Sequence, residues 1–141
     1  MLKHTALALA LGCLAATSQA QSCGTLTTTG NGAPGTNIVL DLTGSAPVSL
    51  ASCVISSDLG TTTVNAGPFT PLTLGVQAPY LLATMGFTNG QGEEDLVISV
   101  PSTITLGLDL HAQAVAFDFA FSSGFNLTYC ISNTVTFHVG P

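Results

Sequence analysis

The stretch Ile38-Val39-Leu40-Asp41-Leu42-Thr43 sets three aliphatic side chains, Ile38, Leu40 and Leu42, against Val39, Asp41 and Thr43. A period of two places the first set on one side of an extended chain, so the segment predicts a strand with one buried face. Leu96, Ile98 and Val100 alternate in the same way and stop at Pro101, as do Val135, Phe137 and Val139 against Thr134, Thr136 and His138. Further strands are expected at Leu50–Ser56, Leu72–Val76, Tyr80–Phe87, Leu106–Phe119 and Phe125–Ile131.

Turn-forming residues separate these runs: Gly30-Asn31-Gly32-Ala33-Pro34-Gly35, Asp58-Leu59-Gly60, Gly67-Pro68, Asn89-Gly90-Gln91-Gly92 and Ser122-Ser123-Gly124. Short strands, with turns every ~8–12 residues, predict an all-β antiparallel sandwich of immunoglobulin-like type with roughly seven to nine strands. No segment carries a capped helical pattern of useful length.

Between Leu106 and Phe121 the apolar parity changes: Leu106, Leu108 and Leu110 fall on one side, and Val115, Phe117, Phe119 and Phe121 on the other. A β-bulge near Gln113, or a strand passing from one sheet to the other, is the expected cause. Gln113, between Ala112 and Ala114, is expected to be a buried amide that satisfies backbone groups.

The first twenty residues read as an export signal. Met1-Leu2-Lys3-His4 is a positive start, Ala6–Ala16 an apolar run, and Ser18-Gln19-Ala20 a small-x-small cleavage site, so a single mature domain of 21–141 is expected. The competing address is lipidation at Cys13, which follows Gly12, but the apolar run continues past that cysteine. No later stretch approaches the ~20 apolar residues of a membrane-spanning helix. The expected destination is the periplasm, the cell surface or the medium.

Lys3 is the only Lys or Arg, so removal of the signal leaves a side-chain charge of −7 with no cation but histidine. Such a chain has nothing to neutralise phosphates or anionic lipid, which argues against nucleic acid, nucleotides and membrane surfaces as partners. Stability must come from apolar burial and backbone hydrogen bonds, with a disulfide as a further source.

Gly86-Phe87-Thr88-Asn89-Gly90-Gln91-Gly92, Leu96–Pro101, Leu106-Gly107-Leu108-Asp109-Leu110-His111-Ala112-Gln113-Ala114, Asp118 and the closing Ser132-Asn133 with Gly140 resemble a recurrent secreted bacterial β-sandwich module. That module carries an N-G-Q hairpin, a V-P step, a G-L-x-L-x-x-Q-A-x-x-x-D strand and an S-N strand that ends in glycine. The resemblance covers about residues 80–140 and implies a secreted β-rich fold without assigned activity, sometimes appended to larger exported chains. Two departures stand out: His111 replaces a tyrosine, and Glu93-Glu94-Asp95 loads acid onto a hairpin flank that is ordinarily neutral.

Glu93 and Asp95 are the candidate calcium ligands, since alternate residues of a strand converge on one face. They lack the spacing that wraps a single ion, and the cluster equally suits protection of a sheet edge. His111 and His138 fall on outward positions with no neighbouring ligand in sequence. Hydrolase and phosphate-loop signatures are missing, no cofactor is implied, and an enzyme is not expected. Carbohydrate binding would rest on Tyr80 and Tyr129, the only tyrosines in a chain without tryptophan.

Cys23, Cys53 and Cys130 form an odd set in the mature chain. Cys53–Cys130 would be an inter-sheet bridge and requires a bulge near Ser132-Asn133; Cys23–Cys53 is the alternative. Asn126-Leu127-Thr128 is a formal glycosylation sequon. The expected role is therefore a non-catalytic structural or interaction module that contacts a protein or cell-envelope component, with calcium or carbohydrate binding as the alternative.

Overall fold

The alternation at Ile38–Thr43 is realised in β3 (Asn37–Thr43), where Ile38, Leu40 and Leu42 are each no more than 1% exposed. The structure, a computed structural model, describes residues 21–22, 24–65, 71–121 and 126–141, without the side chains of Gln21, Ser22 and Asn126. The described residues are all-β, with 65% strand and no helix among them. The expected signal, Cys13, Cys23 and the turns at Gly67-Pro68 and Ser122–Gly124 lie outside the described residues.

β3 is the middle of a three-stranded antiparallel sheet, between β2 (Thr25–Thr29) and β8 (Glu94–Ser99). A five-stranded sheet faces it, in the order β1 (Gln21–Ser22), β10 (Asn126–Val139), β9 (Leu108–Ala120), β4 (Leu50–Ser56) and β7 (Tyr80–Phe87). Every pairing in it is antiparallel except that of β1 with β10. The principal core lies between these sheets: Leu26, Ile38, Leu40 and Leu42 from one meet Ala51, Cys53, Ile55, Ala112, Ala114, Ala116 and Phe137 from the other. Three alanines on the central strand let the aliphatic side chains of the smaller sheet approach closely, which is how facing layers of a β-protein reach interior packing density.

A third element, the hairpin of β5 (Leu59–Val64) and β6 (Leu72–Val76), covers the opposite face of the larger sheet. Leu74 and Val76 pack there against Val54 and Val115, with Phe117 at the margin.

This second core corrects the explanation expected for the parity change in Leu106–Phe121. β9 is neither bulged at Gln113 nor transferred between sheets; it pairs with β4 without a register shift from His111 to Phe117. Residues 112–116 are buried on both faces, alanines toward the main core and Val115 toward the hairpin. A strand covered on both sides has no polar side, so its apolar parity changes without any break in the backbone.

The irregularity is in β10 instead. Ile131 pairs with Val115 and Thr134 with Gln113, so Ser132 and Asn133 together oppose Ala114. Ser132 Oγ accepts from Ala114 N at 2.9 Å, which satisfies the amide that the bulge leaves without a ladder partner. β10 runs through this point from Asn126 to Val139, joining what read as two separate strands.

Candidate functional site

Four groups of side chains bear on function: the amides at the bulge, the acids of β3 and β8, the histidines of β9 and β10, and the outer edge of β7.

At the bulge, Gln113 Oε1 accepts from Gly75 N at 2.8 Å and its Nε2 donates to Ser132 O at 2.8 Å. One buried amide thus ties the β5–β6 hairpin to the larger sheet, in the backbone-satisfying role expected for it. Asn133 acts between the two main sheets. Its Oδ1 accepts from Leu26 N at 2.8 Å and its Nδ2 donates to Leu26 O at 3.0 Å. The side-chain amide behaves as one peptide unit of an extra strand, and it occupies the outer edge of β2.

The Asn89–Gly92 turn is also fixed internally. Asn89 Oδ1 accepts from Gln91 N at 2.8 Å and Glu93 N at 3.0 Å, while Thr88 Oγ1 donates to Ala46 O and accepts from Ser49 N. Gly92 has φ +75°, and a Cβ there would lie 1.9 Å from Ser45 O, so only glycine fits. The motif residues of this hairpin build the loop.

Beside it, Asp41, Thr43, Asn89, Glu93, Glu94 and Asp95 line an open cleft of about 390 Å³. Asp41 and Asp95 are direct cross-strand partners. Partial burial, a hydrogen bond to Asp95 and the charges of Asp95 and Glu93 raise the pKa of Asp41 above its usual 3.8. Glu93 and Asp95 therefore do converge, and they converge on a third acid that spacing along one strand did not bring into view. Among the described residues, no group of three or more His, Cys, Asp or Glu side chains is arranged to hold a metal ion.

The histidines have partners only the fold supplies. His138 faces Asp109 across the β9–β10 ladder, with Nδ1 2.7 Å from Oδ1, and this bond raises its pKa above 6.5. His111 Nδ1 lies 2.8 Å from Thr136 Oγ1. Tyr80 is on β7 while Tyr129 is on β10, with β4 and β9 between them. At ~4.8 Å per strand spacing the two rings are too far apart to form one stacking platform.

The expected Cys53–Cys130 bridge is not formed. Cys53 is a free, fully buried thiol, pushed up to about 12 by burial. Cys130 is not free, and its partner is not Cys53. The reason is topological: both cysteines belong to the same sheet, with β9 between their strands, where Cys53 opposes Ala114 and Cys130 opposes Ala116. Two strand spacings come to ~9.5 Å, beyond the ~7 Å Cα separation a disulfide tolerates.

The feature not read from the sequence is the outer edge of β7. Leu81, Leu82 and Phe87 are 66%, 63% and 60% exposed, and Leu81 and Leu82 point to opposite faces of the sheet. At its start, Tyr80–Leu82, the strand is exposed on both faces, and it lies at the edge of its sheet; further along, Met85 packs against the principal core. The signal for it was present: Tyr80–Phe87 is an apolar β-prone run without one charged residue.

No protein-family model, curated protein or solved structure matches the chain. What the fold defines is a class: an all-β protein of mostly antiparallel sheets packed face to face. No helix among the described residues is long and apolar enough to cross a membrane.

Proposed function

We propose that this is a secreted or cell-surface, non-catalytic structural module with an immunoglobulin-like sandwich architecture, which engages another polypeptide by strand addition at β7. The observation that carries this reading is the uncharged edge strand Tyr80–Phe87, exposed on both faces at Tyr80–Leu82. A sheet edge offers a row of unpaired N–H and C=O groups, and natural proteins ordinarily guard it with charge, proline or a covering element. The export-like Met1–Ala20 segment supports an extracytoplasmic destination.

Fractionation of the producing cells tests the reading. The native chain should remain with the envelope or the extracellular matrix, and Leu82→Lys should release it. Thermal unfolding of Gln21–Pro141 with calcium and then chelator, followed by a polysaccharide screen, tests the alternative. A site filled at 100 times its Kd adds ~2.7 kcal/mol. A calcium-dependent rise abolished by Glu93→Gln with Asp95→Asn would replace the structural reading with a cation-binding one.

A further inference from the structure

We infer that Cys130 is bonded to Cys23, so that a disulfide fastens the start of the mature chain to β10 and closes the side of the sandwich where β2 meets the larger sheet. The chain has four cysteines, at positions 13, 23, 53 and 130. Cys130 is disulfide-bonded and Cys53 is free, which leaves only Cys13 and Cys23 to partner it. Both addresses read from the first twenty residues remove Cys13: cleavage after Ala20 discards it, and lipidation would cap its sulfur as a thioether. Cys23 is the cysteine that remains.

Strand pairing brings the backbone to the same place. β1 runs parallel to β10, with Gln21 opposite Cys130 and Ser22 opposite Ile131. Cys23 is the next residue in sequence, one Cα step of ~3.8 Å beyond a residue already laddered beside Cys130. After Gly24 the chain enters β2, where Asn133 holds the backbone of Leu26. β10 thus grips the chain on both sides of position 23, at Ile131 and at Asn133. Cys130 opposes Ala116, a residue of the principal core, so its side chain lies on the sheet face that looks toward the smaller sheet, and it packs against that core.

Closing the bond breaks two S–H bonds, forms one S–S bond and releases two protons and two electrons. A disulfide oxidant of the extracytoplasmic compartment takes them and is itself reduced to two thiols. The ring so closed spans most of the mature chain, and the constraint a disulfide places on the unfolded state grows with loop length. The odd count of Cys23, Cys53 and Cys130 resolves into one bridge and one thiol buried in the core. This bond is independent of what β7 engages.

The test is a cysteine map of the chain purified from the exported fraction. Denatured without reductant, it should take one alkyl label, at Cys53, and after reduction three. Chymotryptic digestion should yield a peptide pair joining Cys23 to Cys130 that separates on reduction. Cys53→Ser should leave that pair intact and abolish labelling before reduction. Cys23→Ser and Cys130→Ser should each gain one label, at the partner left behind. Reductant should lower the urea midpoint of the native chain to that of Cys23→Ser and leave that variant's own midpoint unchanged. Three labels before reduction, or a pair joining Cys130 to Cys13, to Cys53 or to Cys130 of another copy, would overturn the proposal. The map is made on the native sequence, so it decides the pairing even where a serine variant fails to accumulate.

Discussion

The side-chain amide of Asn133 makes both hydrogen bonds of a β-ladder to the backbone of Leu26, 107 residues away in sequence. It stands on the bulge of β10 and reaches the edge strand of the opposite sheet, so one residue fixes the register of the bulge and the closure of the two layers together. Each such bond contributes ~0.5–1.5 kcal/mol net. Asn133→Ala should therefore cost about 1–2 kcal/mol, seen as a lower urea midpoint with an unchanged m-value. Asn133→Asp should cost at least as much, because it keeps the acceptor and loses the donor.

Gln113 is the second such tie, and it is buried. Gln113→Leu fills a similar volume but leaves Gly75 N and Ser132 O without their partner. A buried polar group stripped of its bond costs ~1–3 kcal/mol, so a loss of about 2–4 kcal/mol is expected. Hydrogen exchange at Gly75 should accelerate more than exchange in β3, since the hairpin loses its anchor while the main core is intact.

Cys53 should be inert to a thiol reagent in the folded protein, because the thiolate is the reactive form and burial holds this thiol near 12. Its modification rate should follow the unfolding equilibrium, rising with denaturant and falling with any stabilising substitution. Rapid labelling of Cys53 under native conditions would contradict the burial described for β4.

The raised pKa values of His138 and Asp41 both make acidification stabilising. For His138 the contribution is complete below its unfolded pKa of 6.5 and is lost as pH rises through the raised folded value; for Asp41 it is complete below 3.8 and lost as pH rises through its own raised value. The unfolding midpoint should thus climb as pH falls from about 8 toward about 4. Asp109→Asn should flatten the neutral part of that profile. Asp41→Asn should flatten the acidic part and raise stability at neutral pH by about 0.5 kcal/mol, the scale of a like-charge cross-strand pair. A midpoint that falls steadily on acidification would refute both assignments.

Trypsin offers a check on the chain itself. Lys3 is its only target, so the denatured protein should yield no fragment with a cut beyond residue 3. Intact mass of the exported form should correspond to Gln21–Pro141; a diacylglyceryl mass on Cys13 would assign the lipoprotein route instead.

Strand positions were legible because a half-buried strand writes its buried face into every second residue: Ile38, Leu40 and Leu42 suffice for β3, and Leu96 and Ile98 for β8. Gln113 was legible for a related reason, since a lone amide between alanines in an apolar run needs backbone partners. What the sequence could not decide were relations between strands. Period-two reasoning assumes one wet face, so it misread β9, which the β5–β6 hairpin covers from behind. Recognising that Cys53 and Cys130 share one sheet, two strand spacings apart, required knowing that β9 lies between their strands. The partners of His138, Asp41 and Asn133 come from other strands, and the exposure of Leu81 and Leu82 follows from β7 lying at the end of its sheet. Local pattern determines which residues face inward, because burial acts on each side chain separately; which strands become neighbours depends on how several such faces close together, and only the folded chain decides that.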